Sequence, residues 1–229
     1  IFPTFFIRHN TENSEAEWAL ATTYNRWLAE KCEPTNGRLQ WAAVLPWLRP
    51  ELAVEELRWA KEHGACGIFK RGFDINRKVT DPHFFPVYEE ASRLDMPMCF
   101  HTGHPLPARE WDRGFPIISA FAELVTSKVP EMFPDLRFGF IESGASWIPY
   151  VLSQLGATKR AELRGEGVTL PHLFDLDPEL FRKNRTFITI DPIDDVESIL
   201  KFHTEDNLMI GTDYSHTDIS ANLSGLNEV

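Results

Sequence analysis

The sequence lacks the features that mark several large classes of protein. Its three cysteines are widely spaced and form no CxxC pair, which argues against a disulfide framework and favours reduced thiols. No apolar run approaches the roughly 18 residues of a membrane-spanning helix, and the first segment has no signal-peptide pattern. The sequence therefore predicts a cytoplasmic protein that does not enter a membrane.

Positive charge is also scarce. The formal net charge is -11 over 229 residues, and lysine and arginine form no long basic run. A nucleic-acid backbone or an anionic membrane would be repelled by such a surface. We therefore expect the partner to be a small molecule.

The sequence does have a regular alternation of short apolar segments and amphipathic ones. The predicted strands are 1–6, 38–47, 65–72, 96–103, 136–144, 186–191 and 207–215. The predicted helices are 14–32, 50–64, 81–95, 116–132, 146–163 and 193–204. Short apolar strands separated by helices predict a parallel sheet covered on both faces.

Polar residues at the strand ends distinguish between the two folds that fit this pattern. Lys70, His101, Glu142, Asp191 and Asp213 each lie at or just past the end of a predicted strand. A TIM barrel collects catalytic groups from many strand ends in this way. A doubly wound sheet would concentrate ligand contacts at one switch point, usually with a glycine-rich phosphate loop, and neither GxGxxG nor GxxxxGK[ST] occurs. The pattern favours a (β/α)8 TIM barrel.

We expect one domain over residues 1–229. Seven predicted strands are one short of the eight in a barrel, and the sequence begins on a predicted strand. The first barrel strand is therefore expected to be absent from these residues, and the domain to be incomplete at its N- and C-terminal ends.

A histidine and an acid at the ends of two strands in the same ring suggest a metal site. His101 and Asp213 are ligand types that a divalent cation takes from neutral imidazole and carboxylate. An acid at the end of an apolar strand is costly to bury unless it is paired or bound to a cation. The alternative for His101 is a hydrogen-bonded structural histidine, and the spacing alone leaves both open.

Several stretches together resemble the amidohydrolase-related family, in particular its branch of decarboxylases like aminocarboxymuconate-semialdehyde decarboxylase. They are FPTFFIR, YNRWLAE, GRLQWAAVLP, MPMCFHTG, PDLRFGFIESGASWIPYVL and LMIGTDYSHTD, and they span nearly the whole chain. The resemblance implies a TIM barrel with one divalent metal ion, Zn or Mn, at the C-terminal ends of its strands. Members of this family are often dimers or tetramers, so a homodimer or homotetramer is expected.

The resemblance also assigns roles to individual residues. It makes His101 and Asp213 metal ligands, and it gives Asp213 a further role in handling a proton or activating water. Glu142 stands where many members have a histidine that transfers protons near the metal. A glutamate can do the same if burial raises its pKa, and the alternative is a structural acid that pairs with an arginine or caps the next helix.

The expected function is nonoxidative decarboxylation of an aromatic or unsaturated carboxylic acid. A metal-dependent hydrolase of a lactone, amide or ring C–N bond is the first alternative. The second is a non-catalytic barrel that binds a small molecule and has lost its metal, since the family's first-strand His-x-His or Glu-x-His pair is not found in these residues.

Four further residues are candidate substrate-binding groups. Lys70 or Arg71 could bind a substrate carboxylate, the alternative being a surface ion pair with one of the many acids. His104 lies in a Gly-Pro turn and lines the pocket or is solvated. His216 follows Asp213 closely and could orient it or the substrate.

Overall fold

Six strands form one parallel sheet in this computed structural model, which describes residues 1–3, 6, 11–74, 76–103, 114–165 and 179–214. The strands are β1 Trp41–Val44, β2 Ala65–Arg71, β3 Met98–His101, β4 Phe138–Ile141, β5 Thr186–Ile190 and β6 Leu208–Ile210. Each strand pairs in parallel with the next one along the chain. A doubly wound sheet reverses its strand order at a switch point, whereas a (β/α) barrel keeps sequence order throughout. The observed order is that of a barrel.

The helices lie between the strands, as the sequence pattern predicts. They are α1 Ser14–Cys32, α2 Pro50–Glu62, α3 Phe85–Arg93, α4 Phe115–Val125, α5 Val129–Met132, α6 Ile148–Leu163, α7 Glu179–Lys183 and α8 Val196–Ile199. The expected helix over 116–132 is divided, because α4 ends at Val125 and Pro130 begins a new first turn. Within the described residues, no helix is both long enough and apolar enough to cross a membrane.

The two faces of the sheet pack against different groups of side chains. Trp41, Ala43 and Leu45 belong to the large core between the sheet and the helices. Ala42 and Val44 point to the opposite face, where they pack with Phe6, Ala21 and Phe69. Because both faces are covered, β1 is buried along its whole length and shows no alternation of polar and apolar residues.

The expected strand over 1–6 is only partly supported. The N-terminal nitrogen of Ile1 donates a hydrogen bond to the Gln40 carbonyl at 2.6 Å. The Ile1 carbonyl accepts one from the Ala42 N–H at 3.0 Å. This is the hydrogen-bond pattern of a parallel neighbour beside β1. The described residues of this segment, 1–3 and 6, are nevertheless not in strand conformation.

Candidate active site

A cavity of about 1110 Å³ lies on the inner face of the sheet. Its lining includes His101 from the end of β3, Glu142 after β4, Asp191 after β5 and Asp213 after β6. The three residues expected to be catalytic, His101, Glu142 and Asp213, therefore share one cavity. The C-terminal ends of parallel strands meet at the same edge, which is why residues far apart in sequence are collected there.

His101 is buried at the tip of β3, with the rings of Phe2 and Phe69 5.4 and 5.6 Å from its own ring centre. Its Nδ1 lies 2.9 Å from the carbonyl oxygen of Thr102. A carbonyl only accepts hydrogen bonds, so Nδ1 carries the proton and donates it. In the neutral ring this leaves the lone pair of Nε2 as an acceptor or metal-binding site.

Glu142 follows β4 directly and has a left-handed backbone, with φ of 58°. Its N–H donates to Thr189 Oγ1 at 2.8 Å, and the Thr189 hydroxyl in turn donates to the Phe140 carbonyl at 3.2 Å. Left-handed conformations are uncommon for residues other than glycine and cluster at functional sites. The strained turn directs the Glu142 carboxylate toward His101, with Oε2 3.2 Å from Nε2.

This pair of atoms fits a shared metal ion. Two donors bound to one cation at about 2.0–2.2 Å lie about 2.8–3.6 Å apart for octahedral or tetrahedral angles. The observed separation of 3.2 Å falls in that range. The Nδ1 hydrogen bond to a backbone carbonyl is also the usual support of a metal-binding imidazole. Among the described residues, however, no three His, Cys, Asp or Glu side chains are grouped closely enough to hold a metal.

Two aspartates extend the acidic character of the cavity. Asp213 is partly buried and left-handed, with φ of 42°, as Glu142 is at the end of β4. Burial raises the pKa of Asp191, and the negative charges of Asp194 and Asp213 raise that pKa further. Its place at a strand end is recognisable in the sequence, but Asp191 is not among the site residues predicted there.

The basic residues of the cavity lie away from these acids. In the described part of the chain, the lysine and arginine that line it are Lys31, in the last turn of α1, and Arg137, just before β4. Both positions are at the N-terminal end of the strands. The C-terminal end of the cavity therefore carries an excess of negative charge, which favours a cation.

Lys70 and Arg71 are not among the described residues that line this cavity. The Lys70 ammonium is fully buried against the rings of Trp47 and Phe84 and lies 3.4 Å from Asp74 Oδ2. Arg71 donates to Asp74 and to the Phe6 carbonyl. These positions give no support to substrate binding by Lys70. The alternative of a surface ion pair is wrong in its location, because the pair with Asp74 is buried. His104 and His216 lie outside the described residues.

Comparison with known proteins supports the resemblance seen in the sequence. The profile of a family described as Amidohydrolase matches residues 7–227. The gamma-resorcylate decarboxylase of Rhodococcus jostii is 33% identical over 97 residues, which cover 38% of this chain and 30% of that protein. The matched segment is thus less than a third of the length of this curated relative.

Solved structures match over more of the chain. An amidohydrolase of Mycobacterium avium subsp. paratuberculosis has a TM-score of 0.79 at 21% identity and covers 99% of this chain, which spans 63% of that structure. A 5-carboxyvanillate decarboxylase of Novosphingobium aromaticivorans, solved with bound manganese, has a TM-score of 0.80 at 18% identity, covering 95% of this chain and 66% of that one. The expected TIM-barrel fold is confirmed.

Proposed function

The chain belongs to the amidohydrolase family, and on that premise we propose that it is a metal-dependent enzyme that decarboxylates an aromatic or unsaturated carboxylic acid without oxidation. The observation that carries the proposal is the His101 Nε2 to Glu142 Oε2 distance of 3.2 Å at the wall of a large cavity. The named activities of the relatives, gamma-resorcylate decarboxylase and 5-carboxyvanillate decarboxylase, support the choice of substrate class.

The proposed cofactor is one divalent metal ion, Mn or Zn, held by His101 and Asp213, with Glu142 as a further ligand through Oε2. Manganese is bound in the Novosphingobium structure, so it is the first metal to test. When bound, such a cation would neutralise and orient the substrate carboxylate. Without it, an anionic substrate would face the acids Glu142, Asp191 and Asp213 and be repelled.

The proton transfer and the exclusion of solvent are assigned to residues of the chain. Decarboxylation replaces a carbon–carboxylate bond with a carbon–hydrogen bond, so the site must deliver one proton to carbon and release CO2. Asp213 lines the cavity and is proposed to hold that proton. Asp191, whose pKa is raised by burial, is a second group able to hold a proton nearby. The rings of Phe2 and Phe69 pack beside His101, which is buried, and shield its imidazole from solvent.

Hydrolysis is the second candidate function. The observation in its favour is the number of carboxylates at one end of the cavity, because a hydrolase needs a general base beside an activated water. Glu142 would serve as that base through Oε2, which lies at the cavity wall 3.2 Å from His101 Nε2.

The cellular setting and assembly are also proposals. Cys32, Cys66 and Cys99 are free thiols, which supports the cytoplasmic location predicted from the sequence. A homodimer or homotetramer remains a prediction, and size-exclusion chromatography with light scattering would test it.

The experiment uses the full-length natural protein loaded with Mn²⁺ or Zn²⁺. Its metal content is measured, and 2,6-dihydroxybenzoate and 5-carboxyvanillate are screened for CO2 release. His101→Ala and Asp213→Asn should each lose metal and activity, while His63→Ala, which changes an exposed histidine on α2's C-terminal turn, should retain both. Bound metal with ester or lactone cleavage but no CO2 release would favour the hydrolase. Absence of bound metal in the wild-type protein would overturn both.

A further inference from the structure

Asp194 connects the loop after β4 to the loop after β5. Its Oδ2 accepts hydrogen bonds from the N–H groups of Ala145 and Asp191, both at 2.8 Å. Its Oδ1 accepts from Ser146, through the N–H at 3.0 Å and through the hydroxyl. One carboxylate therefore fixes backbone groups from both loops, and it does so from outside the set of described residues that line the cavity.

The two loops fit together tightly at this point. Gly144 is left-handed, with φ of 58°, and a Cβ built on it would lie 2.9 Å from Asp191 Oδ2 and 3.3 Å from Asp194 Oδ2. A Cβ here would have to displace the Asp191 carboxylate, and the left-handed backbone at this position already favours glycine. The path of the chain just after Glu142 is thus determined by its contact with the neighbouring loop.

Glu142 is consequently held from two directions. Its own N–H is bonded to Thr189 on β5, and the residues that follow it are bonded to Asp194. A left-handed glutamate persists only when its surroundings enforce that conformation. The direction of the Glu142 carboxylate, and with it the contact to His101, depends on these two supports.

We propose that Asp194 is a positioning residue: by joining the loops after β4 and β5 it holds Glu142 against His101 and Asp191 at the rim of the same cavity. The catalytic consequence rests on the proposed function above. The structural part of the proposal, that Asp194 fixes the turn at Glu142, is independent of that function.

The matched control is Asp195, the next residue. Asp195 caps α8 through two hydrogen bonds, from the N–H of Ser198 at 3.0 Å and from its hydroxyl at 2.7 Å. These bonds are made within its own segment and not to the β4 loop. Asp195→Ala thus removes a carboxylate of the same kind, together with its hydrogen bonds, without releasing Glu142.

The test compares Asp194→Ala, Asp194→Asn and Asp195→Ala in the full-length protein by three readouts. They are Mn²⁺ affinity by titration calorimetry, kcat and KM for the substrate found in the screen, and hydrogen exchange of the Glu142 amide. Loss of a residue that orients metal-site groups lowers affinity or activity by about 10–100-fold, so Asp194→Ala should weaken Mn²⁺ binding and lower kcat by such factors. In Asp195→Ala, both Mn²⁺ affinity and kcat should stay within about twofold of the wild-type values.

Asp194→Asn should lower Mn²⁺ affinity and kcat by an intermediate amount, because its amide keeps one acceptor oxygen but turns an N–H₂ toward backbone donors.

A double variant tests whether Asp194 acts through Glu142. In a Glu142→Gln background, Asp194→Ala should cause little further loss of Mn²⁺ affinity or kcat. The losses caused by the two single substitutions should therefore not add. Additive losses, or equal behaviour of Asp194→Ala and Asp195→Ala, would overturn the proposal.

The two proposals fail separately. If wild-type protein binds no Mn²⁺ and releases no CO2, the proposed function is wrong, and the hydrogen exchange still decides the role of Asp194. Faster exchange of the Glu142 amide in Asp194→Ala but not in Asp195→Ala would support the loop connection. Unchanged exchange in both would reject it.

Discussion

The ring of His203 packs against the ring of Phe181, with 3.9 Å between the ring centres. His203 donates from Nδ1 to the Thr204 carbonyl at 2.6 Å, and its buried Nε2 has no hydrogen-bond partner among the described residues. Burial lowers the pKa of this imidazole from 6.5 to about 4, although the bond to Thr204 acts in the opposite direction. His203 is therefore neutral in the folded protein at neutral pH.

This neutral histidine predicts a pH-dependent stability. Between pH 6.5 and 4 the unfolded chain binds a proton at His203 that the folded chain does not, so the free energy of unfolding should fall as pH decreases. The full loss is about 3 kcal/mol across that range. Urea unfolding at pH 7.5 and pH 5 should show a smaller difference for His203→Phe than for wild type. Equal differences in the two proteins would disprove the assignment.

Glu17 predicts a change of the opposite sign. It lies in α1 and accepts from the Leu48 N–H at 2.8 Å, and burial raises its pKa from 4.5 to about 7. The folded protein keeps a proton that the unfolded chain releases above pH 4.5, so stability should decrease as pH rises from 4.5 to 7. In Glu17→Gln this decrease should be smaller, measured as Tm between pH 5 and 8. Glu15→Gln, at an exposed first-turn position of α1, is the control and should follow wild type.

The buried charges around Lys70 predict unequal effects of two substitutions. The ammonium lies 4.1 and 3.6 Å from the ring centres of Trp47 and Phe84, and Asp74 is paired with both Lys70 and Arg71. Asp74→Ala leaves these cations without that acid and should lower the free energy of unfolding by about 3–5 kcal/mol. Lys70→Met replaces a buried charge with an apolar chain and leaves Asp74 paired with Arg71, so it should cost much less.

Activity measurements on Lys70→Met also test the role assigned from the sequence. Because Lys70 is not among the described residues of the cavity wall, the variant should keep its kcat/KM within about threefold of wild type. A large rise in KM with unchanged folding would show instead that the lysine binds substrate.

Gly72 lies in close contact with the backbone at the start of α4. A Cβ at this position would lie 2.3 Å from the Pro116 carbonyl oxygen and 2.8 Å from the Ile117 nitrogen, both backbone atoms at the start of α4. Gly72→Ala must displace that helix and should cost about 1–3 kcal/mol in chemical unfolding. A Cβ at Gly114 meets nothing within 4 Å among the described residues, so Gly114→Ala should be near neutral. Similar losses in both would contradict the packing argument.

Strand periodicity predicted the fold because each strand is short, apolar and followed by a helix. The end of a parallel strand can be read from the sequence, and all such ends meet at one edge. The positions of His101, Glu142 and Asp213 at strand ends were therefore enough to predict that the three lie together, and they do line one cavity.

The parts that could not be predicted depend on side-chain direction and on contacts between loops. From Gly67 onward β2 is buried on both faces, so its sequence does not reveal that Lys70 packs with Trp47 and Phe84 in the helix-side core. Asp194 is one of several acids after β5, and only the folded loop shows that its carboxylate contacts the turn after β4. The sequence carries no period or motif for such a contact.

At Glu142 the path of the backbone and the charge of the side chain are determined by different groups. Thr189 and Asp194 fix the backbone there through hydrogen bonds to main-chain groups and to the Ser146 hydroxyl. None of these hydrogen bonds involves the side chain at position 142. Asparagine, aspartate and histidine tolerate a left-handed conformation better than most residues. The acid can therefore be exchanged for a neutral or cationic group on an unchanged scaffold. We expect a substitution at position 142 to change the charge of this pocket while the loops after β4 and β5 keep their paths.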